Sequence, residues 1–149
     1  MNAFIWALAI FVFLLDWASK IFILRNLSLN ESVEIIKNIF YLTLVHNTGA
    51  AFGIFKNQTL FFIVVSILAV ITIVIYIKKF SNISLAIKIG LALILGGAFG
   101  NLVDRLCFGY VVDFLDFKIW PVFNIADSAI TVGTFLLIVN LMTKKRVAN

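Results

Sequence analysis

Four apolar runs, Phe4 to Leu24, Thr59 to Ile77, Ser84 to Val103 and Val122 to Met142, dominate this chain of 149 residues. A helix rises about 1.5 Å per residue, so about 20 residues cross a hydrocarbon core of roughly 30 Å, and each run is close to that length. The chain therefore reads as a membrane protein with four transmembrane helices. Its composition agrees: 63% of the residues are hydrophobic and 13% charged, against an apolar share of about 45–50% in soluble domains. No long Pro-, Ser- or Gly-rich linker divides it, so residues 1–149 are expected to form one integral-membrane domain.

The runs differ in what interrupts them. The first carries Asp16, Ser19 and Lys20; with no basic segment before it and no small-x-small site after it, it reads as a retained helix and not a signal peptide. The third carries Lys88 near its start, where a long side chain can snorkel, and Gly90, Gly96, Gly97 and Gly100, which let a neighbouring helix pack closely. Lys78-Lys79 and a Ser81-Asn82 turn follow the second run, and Lys144-Lys145-Arg146 closes the fourth. Between the first two runs, Ile39 to Val45 is β-branched and aromatic, and Asn47-Thr-Gly-Ala-Ala-Phe-Gly53 permits tight turns. The expected fold class is thus all-α, four transmembrane helices with a small extramembrane β-sheet and loop between helices 1 and 2.

One cysteine, Cys107, rules out an intrachain disulfide, and with one histidine, His46, there is little to hold a metal, so no metal site is expected. His46 reads as a loop residue and Cys107 as a thiol at the membrane edge. The net charge of +5 does not point to nucleic acid, because Lys and Arg flank the apolar spans instead of forming a stripe interleaved with aromatics.

Four spans put both termini on one side. Lys and Arg divide evenly, six on the side of the termini and six opposite, but all seven acidic residues fall opposite. The unpaired cations then favour cytoplasmic termini. Whichever side is outside, spans 1 and 3 end on the face where span 4 begins. Asp16, Lys20, Asn101, Asp104, Arg105, Asp113, Asn124 and Asp127 therefore converge at one membrane boundary.

Ionisable groups near membrane depth are costly and point to function by default. Several have structural explanations all the same. Asp16 and Lys20, at i and i+4, can form an ion pair on one helical face, whereas a Ser19 and Lys20 nucleophile is opposed by the ~100° between adjacent helical residues. Asn124 can cap the fourth helix, which would put Asp127 in its first turn, where a carboxylate is favoured. Asp104 next to Arg105 reads as an ion-paired helix end, and Asp116 with Lys118 as a solvated loop. Asp113 lies in Tyr110-Val-Val-Asp-Phe-Leu115 with no local cation, so burial would raise its pKa. Two carboxylates sharing a proton could act as base and acid in amide hydrolysis, although spacing alone does not bring any two together.

Asp16-x-x-x-Lys20, Asn47-x-Gly-x-Ala-Phe, Gly100-Asn-Leu-x-Asp-Arg105, Val111-Val-Asp-Phe114 and Phe123-Asn-Ile-Ala-Asp-Ser128, in that order, resemble bacterial lipoprotein signal peptidase, or signal peptidase II. The resemblance spans nearly the whole chain. It implies an aspartyl endopeptidase of the bacterial inner membrane, without metal or other cofactor and with no obligate protein partner. Such an enzyme removes the signal peptide from diacylglyceryl-modified prolipoproteins just before the lipidated cysteine, and its substrate reaches it through the membrane lipid. It implies that Asp113 and Asp127 are the catalytic pair, near the periplasmic face. Asn47, Asn101, Arg105 and Asn124 would bind substrate or brace the site, and Asp16, Lys20 and Asp104 would support it. The sheet would cradle substrate at the membrane surface. The competing reading is a non-enzymatic membrane carrier or assembly subunit with paired intramembrane charges.

Overall fold

The computed structural model describes residues 3–49, 58–80 and 83–147. Its elements run α1 (Ala3–Asn26), β1 (Ser32–Ile36), β2 (Phe40–Asn47), α2 (Thr59–Lys79), α3 (Leu85–Phe108), β3 (Val111–Asp116) and α4 (Ile125–Val147). All four apolar runs are helices long and apolar enough to cross a membrane. The expected Ser81-Asn82 turn, and residues 50–53 of the loop after Asn47, lie outside the described residues.

α3 is the centre of the bundle, with α1, α2 and α4 all packed on it. Its glycines explain how one helix serves three neighbours. A methyl group at Gly96 would sit 2.5 Å from the Ala9 carbonyl oxygen, and one at Gly97 2.5 Å from that of Ala126, so both α1 and α4 approach α3 to backbone contact. Ser84 caps the start of α3 by accepting the Ile87 N–H, and Gly109, in the left-handed conformation at φ 79°, ends it with its N–H on the Arg105 carbonyl.

The sheet is larger than expected. Its order is β1-β2-β3, all antiparallel, and the third strand comes from the connection between α3 and α4. The pleat explains why Val111 to Asp116 is a strand. Val112 and Phe114 pack against Ile23 and Leu44, while Val111 and Asp113 point the other way and line a cavity. Two other expectations are corrected. His46 belongs to β2 opposite Val112 and stacks on Tyr110 at 3.8 Å, so it is no loop residue. Asp116 ends β3 nearly buried, accepting from Thr43 Oγ1 at 2.6 Å and pairing with Lys118 Nζ at 2.6 Å, so Asp116 is not in a solvated loop, whereas Lys118, beyond the strand, is half exposed.

Below the sheet a buried ammonium joins the elements. Lys20 Nζ meets Asp16 Oδ2 at 2.7 Å, Asp104 Oδ2 at 2.8 Å and Asn101 Oδ1 at 3.0 Å. The expected pairing of Asp104 with Arg105 is therefore replaced by one with Lys20, because consecutive helical side chains point ~100° apart and only Asp104 faces α1. Each carboxylate carries the connection further. Asp16 Oδ1 accepts the Ala126 N–H in the first turn of α4 at 2.8 Å, and Asp104 Oδ2 accepts the Val112 N–H of β3 at 3.0 Å. Gly100 makes room for this, since a methyl group there would lie 2.6 Å from Asp16 Oδ2.

Lys20→Met should strand two buried carboxylates and cost about 3–5 kcal/mol, the penalty typical of a broken buried pair. Gly97→Val should cost about 1–3 kcal/mol through overpacking against Ala126. Thermal unfolding in detergent checks both, and an unaltered midpoint in Lys20→Met would contradict the role given to this cluster.

Candidate active site

A cavity of about 460 Å³ opens between α2, α3 and α4 under the sheet. Its polar end is lined by Asn47, Asn101, Arg105, Asp113 and Asp127, and its apolar part by Val65, Ala69, Ile94, Ala98 and Ile130. α2 and α4 both pack on α3 yet have little contact with each other, so the cavity follows a gap facing the lipid.

Asp113 enters from β3 and Asp127 from the first turn of α4, and each has its orientation set by asparagine amides. Asp113 Oδ2 accepts from Asn47 Nδ2 at 2.8 Å and its Oδ1 from Asn124 Nδ2 at 2.7 Å. Asp127 Oδ1 accepts from Asn101 Nδ2 at 2.8 Å. Asn101 is itself held through its oxygen by Lys20, so the buried ammonium reaches the cavity through one amide. The fully buried Asn124 also donates to the Asn101 oxygen at 3.1 Å, which links the two carboxylates' supports.

The helix-capping explanation for Asp127 and its place in the cavity are both true. Asn124 Oδ1 accepts the Asp127 N–H at 2.8 Å, and Asp127 Oδ2 accepts the Asn124 N–H at 3.3 Å, a reciprocal cap at the start of α4. That cap is what aims Asp127 inward. Burial, and then the negative charge of Asp127, push the Asp113 carboxyl up to about 7. The like charge of Asp127 opposes ionisation of Asp113.

Arg105 supplies positive charge at the same end. Its Nη2 donates to the Gly49 carbonyl at 3.3 Å, its guanidinium lies 4.9 Å from the centre of the Phe62 ring, and its buried Nε has no hydrogen-bond partner among the described residues. Asn47 Oδ1 accepts the Gly49 N–H at 2.9 Å, so the start of the loop after β2 is tied to both Asn47 and Arg105. Asp16, Lys20 and Asp104 stand behind the cavity in the buried cluster, as supports, and do not line it.

Sequence reasoning brought together the polar residues but missed the apolar walls. Phe62 and Ser66 of α2, and Trp120, Pro121, Val122 and Phe123 before α4, line the cavity as well. Nothing in the uniformly apolar α2 run marks which face turns inward. Pro121 beside Trp120, at the entry to the fourth run, was the one signal that pointed to the second group.

The family model for signal peptidase (SPase) II matches residues 8–143. The lipoprotein signal peptidase of Halothermothrix orenii is 43% identical over 145 residues, covering 97% of this chain and 99% of the relative. That of Moorella thermoacetica is 49% identical over 130 residues, covering 87% of each. A solved structure described as a bacterial membrane enzyme, determined by the in meso method at 2.3 Å resolution, superposes with a TM-score of 0.88 at 34% identity, covering 93% of this chain and 87% of that one. With its four membrane helices, its sheet and nearly its whole length accounted for in this way, the chain belongs to the signal peptidase II family.

Proposed function

We propose that this protein is the endopeptidase that removes the signal peptide from diacylglyceryl-modified prolipoproteins, cutting immediately before the lipidated cysteine, with Asp113 and Asp127 as its catalytic pair. The observation that carries the reading is the pairing of two amide-cradled carboxylates, one of them raised to about 7, at the polar end of a cavity whose other walls are apolar. A substrate anchored by lipid and by an apolar peptide can enter such a cavity sideways from the bilayer, through the gap between α2 and α4.

In the reaction, the ionised carboxylate takes a proton from a water as its oxygen attacks the scissile carbonyl carbon, and the protonated carboxyl gives its proton to the carbonyl oxygen. The tetrahedral intermediate then collapses. The first carboxyl passes its new proton to the leaving nitrogen, the second recovers a proton from the diol, and the C–N bond breaks. The products are the carboxyl terminus of the signal peptide and the free amine of the lipid-bearing cysteine. The Arg105 Nε–H, unpartnered among the described residues, is a donor available to the substrate backbone, and Asn47, Asn101 and Asn124 keep the two carboxylates oriented.

Membrane orientation is inferred from the acidic residues, since Lys and Arg divide evenly between the two sides. All seven acidic residues sit toward the sheet end, and Lys78, Lys79 and Lys88 toward the other. This supports cytoplasmic termini in the bacterial inner membrane, with the site near the periplasmic face.

Purified enzyme in detergent with a diacylglyceryl prolipoprotein tests the assignment. Asp113→Asn and Asp127→Asn, each folded, should each lose at least about 10²–10⁴-fold in cleavage rate, the share usual for positioned acids and bases. Full activity in either variant would sink the pair. The pH profile carries a second expectation. Since the shared proton leaves near pH 7, kcat/KM should fall as pH rises above about 7, when both carboxylates are ionised and no acid remains. It should fall again in acid, when both are protonated and no base remains. A profile still rising through pH 9 would contradict the proton sharing.

A further inference from the structure

The segment between β3 and α4 is built as a rigid hairpin with an apolar tip. At its base Phe123 pairs with Leu115, donating to the Leu115 carbonyl at 3.1 Å and accepting the Leu115 N–H at 2.7 Å. Phe117 stacks between Phe123, with ring centres 6.0 Å apart, and Phe40 at 5.0 Å. Asp116 then fixes the turn: its Oδ1 accepts the Lys118 N–H at 2.8 Å and its Oδ2 the Lys118 ammonium at 2.6 Å, with Lys118 in the left-handed region at φ 62°. That ammonium also donates to Ser32 Oγ at 3.2 Å and lies 4.4 Å from the centre of the Tyr41 ring.

What this framework holds up is unusual. Ile119 is 91% exposed and Trp120 58% exposed, at the membrane boundary. Trp120 with Pro121, Val122 and Phe123 also lines the cavity that holds Asp113 and Asp127, together with Phe62 and Val65 of α2. The exposed apolar tip is thus continuous with an apolar wall of the cavity that holds the two carboxylates. The substrate of the proposed reaction carries its acyl chains on the residue next to the scissile bond, and this wall lines the same cavity as the two carboxylates.

Resting on that reading of the function, we propose that the hairpin from Phe117 to Val122 reads the substrate's lipid: Trp120, flanked by Ile119, packs along an acyl chain, and Asp116 and Lys118 are the positioning residues that hold it there. The chain is gripped by Trp120 together with Phe62 and Val65. Chain length then contributes to recognition through buried apolar area, and the chemistry at the carboxylates stays separate from it.

The test compares two prolipoprotein substrates identical in peptide, one bearing a dipalmitoyl and one a dioctanoyl glyceryl group. For each enzyme form, the ratio of kcat/KM for the long-chain over the short-chain substrate is measured in the same detergent. Trp120→Ala should lower that ratio roughly tenfold or more, as loss of one large buried apolar contact implies, and the loss should appear in KM. Ile119→Ser should lower it in the same direction from a position too exposed to disturb folding. Lys118→Met should also lower it, and Lys118→Arg should restore it. An equal fall on both substrates, the signature of a hairpin that only meets the surrounding bilayer or supports folding, would overturn the proposal, as would no fall in either tip variant. If the unaltered enzyme cuts neither substrate, it is the proposed function that fails.

Discussion

The structure depends on one buried ammonium. Lys20 comes from α1, and its three partners lead to the elements that carry Asp113 and Asp127: Asp16 to the first turn of α4, Asp104 to the backbone of β3, and Asn101 to Asp127. Burying such charges is favourable only when each is closely paired and its remaining hydrogen-bonding capacity is used. Here one cation is met by two carboxylates and an amide oxygen, and both carboxylates also accept backbone N–H groups. The arrangement that makes the charges tolerable also sets the relative positions of α1, α3, β3 and α4.

The carboxylates facing the cavity are treated differently from those behind it. Asp16 and Asp104 each touch a cation directly, whereas Asp113 and Asp127 receive neutral amide donors, and Lys20 reaches Asp127 only through Asn101. The Asp113 carboxyl has no directly paired cation, so burial and the charge of Asp127 raise its pKa. The difference in partners supports the roles proposed for them, Asp16 and Asp104 as structural acids and Asp113 and Asp127 as the pair that transfers protons. α3 makes this possible: its glycines bring α1 and α4 close on two sides, while α2 is left apart from α4 and the cavity stays open between them.

Much of this was legible in the sequence because it is local. The four helices follow from apolar length, the Asp16 and Lys20 pair from helical spacing, and the Asn124 and Asp127 cap from three-residue separation at a helix start. What was misread depended on partners far away in the chain. Asp104 was assigned to its neighbour Arg105 and belongs to Lys20, 84 positions earlier by residue number. Asp116 was assigned to a solvated loop and lies nearly buried against Thr43. Asp113 was assigned to a connection and sits on a strand, because the pairing groups it needs are on β2. Strand formation is decided by the availability of a partner edge, which a linear reading of Tyr110 to Leu115 does not contain.

By itself, then, the sequence determined that the chain spans a membrane four times and that its polar residues must gather at one boundary, since apolar length and the parity of crossings are properties of the chain alone. It also carried the ordered motifs of the signal peptidase II family. Only the tertiary structure decided which acid meets which partner, that the α3 to α4 connection would become both a strand and an apolar hairpin over the cavity, and where the bundle would stay open. Those outcomes depend on packing between segments distant in sequence: close helix approach at two glycines, a shared sheet edge and one buried ammonium with three partners.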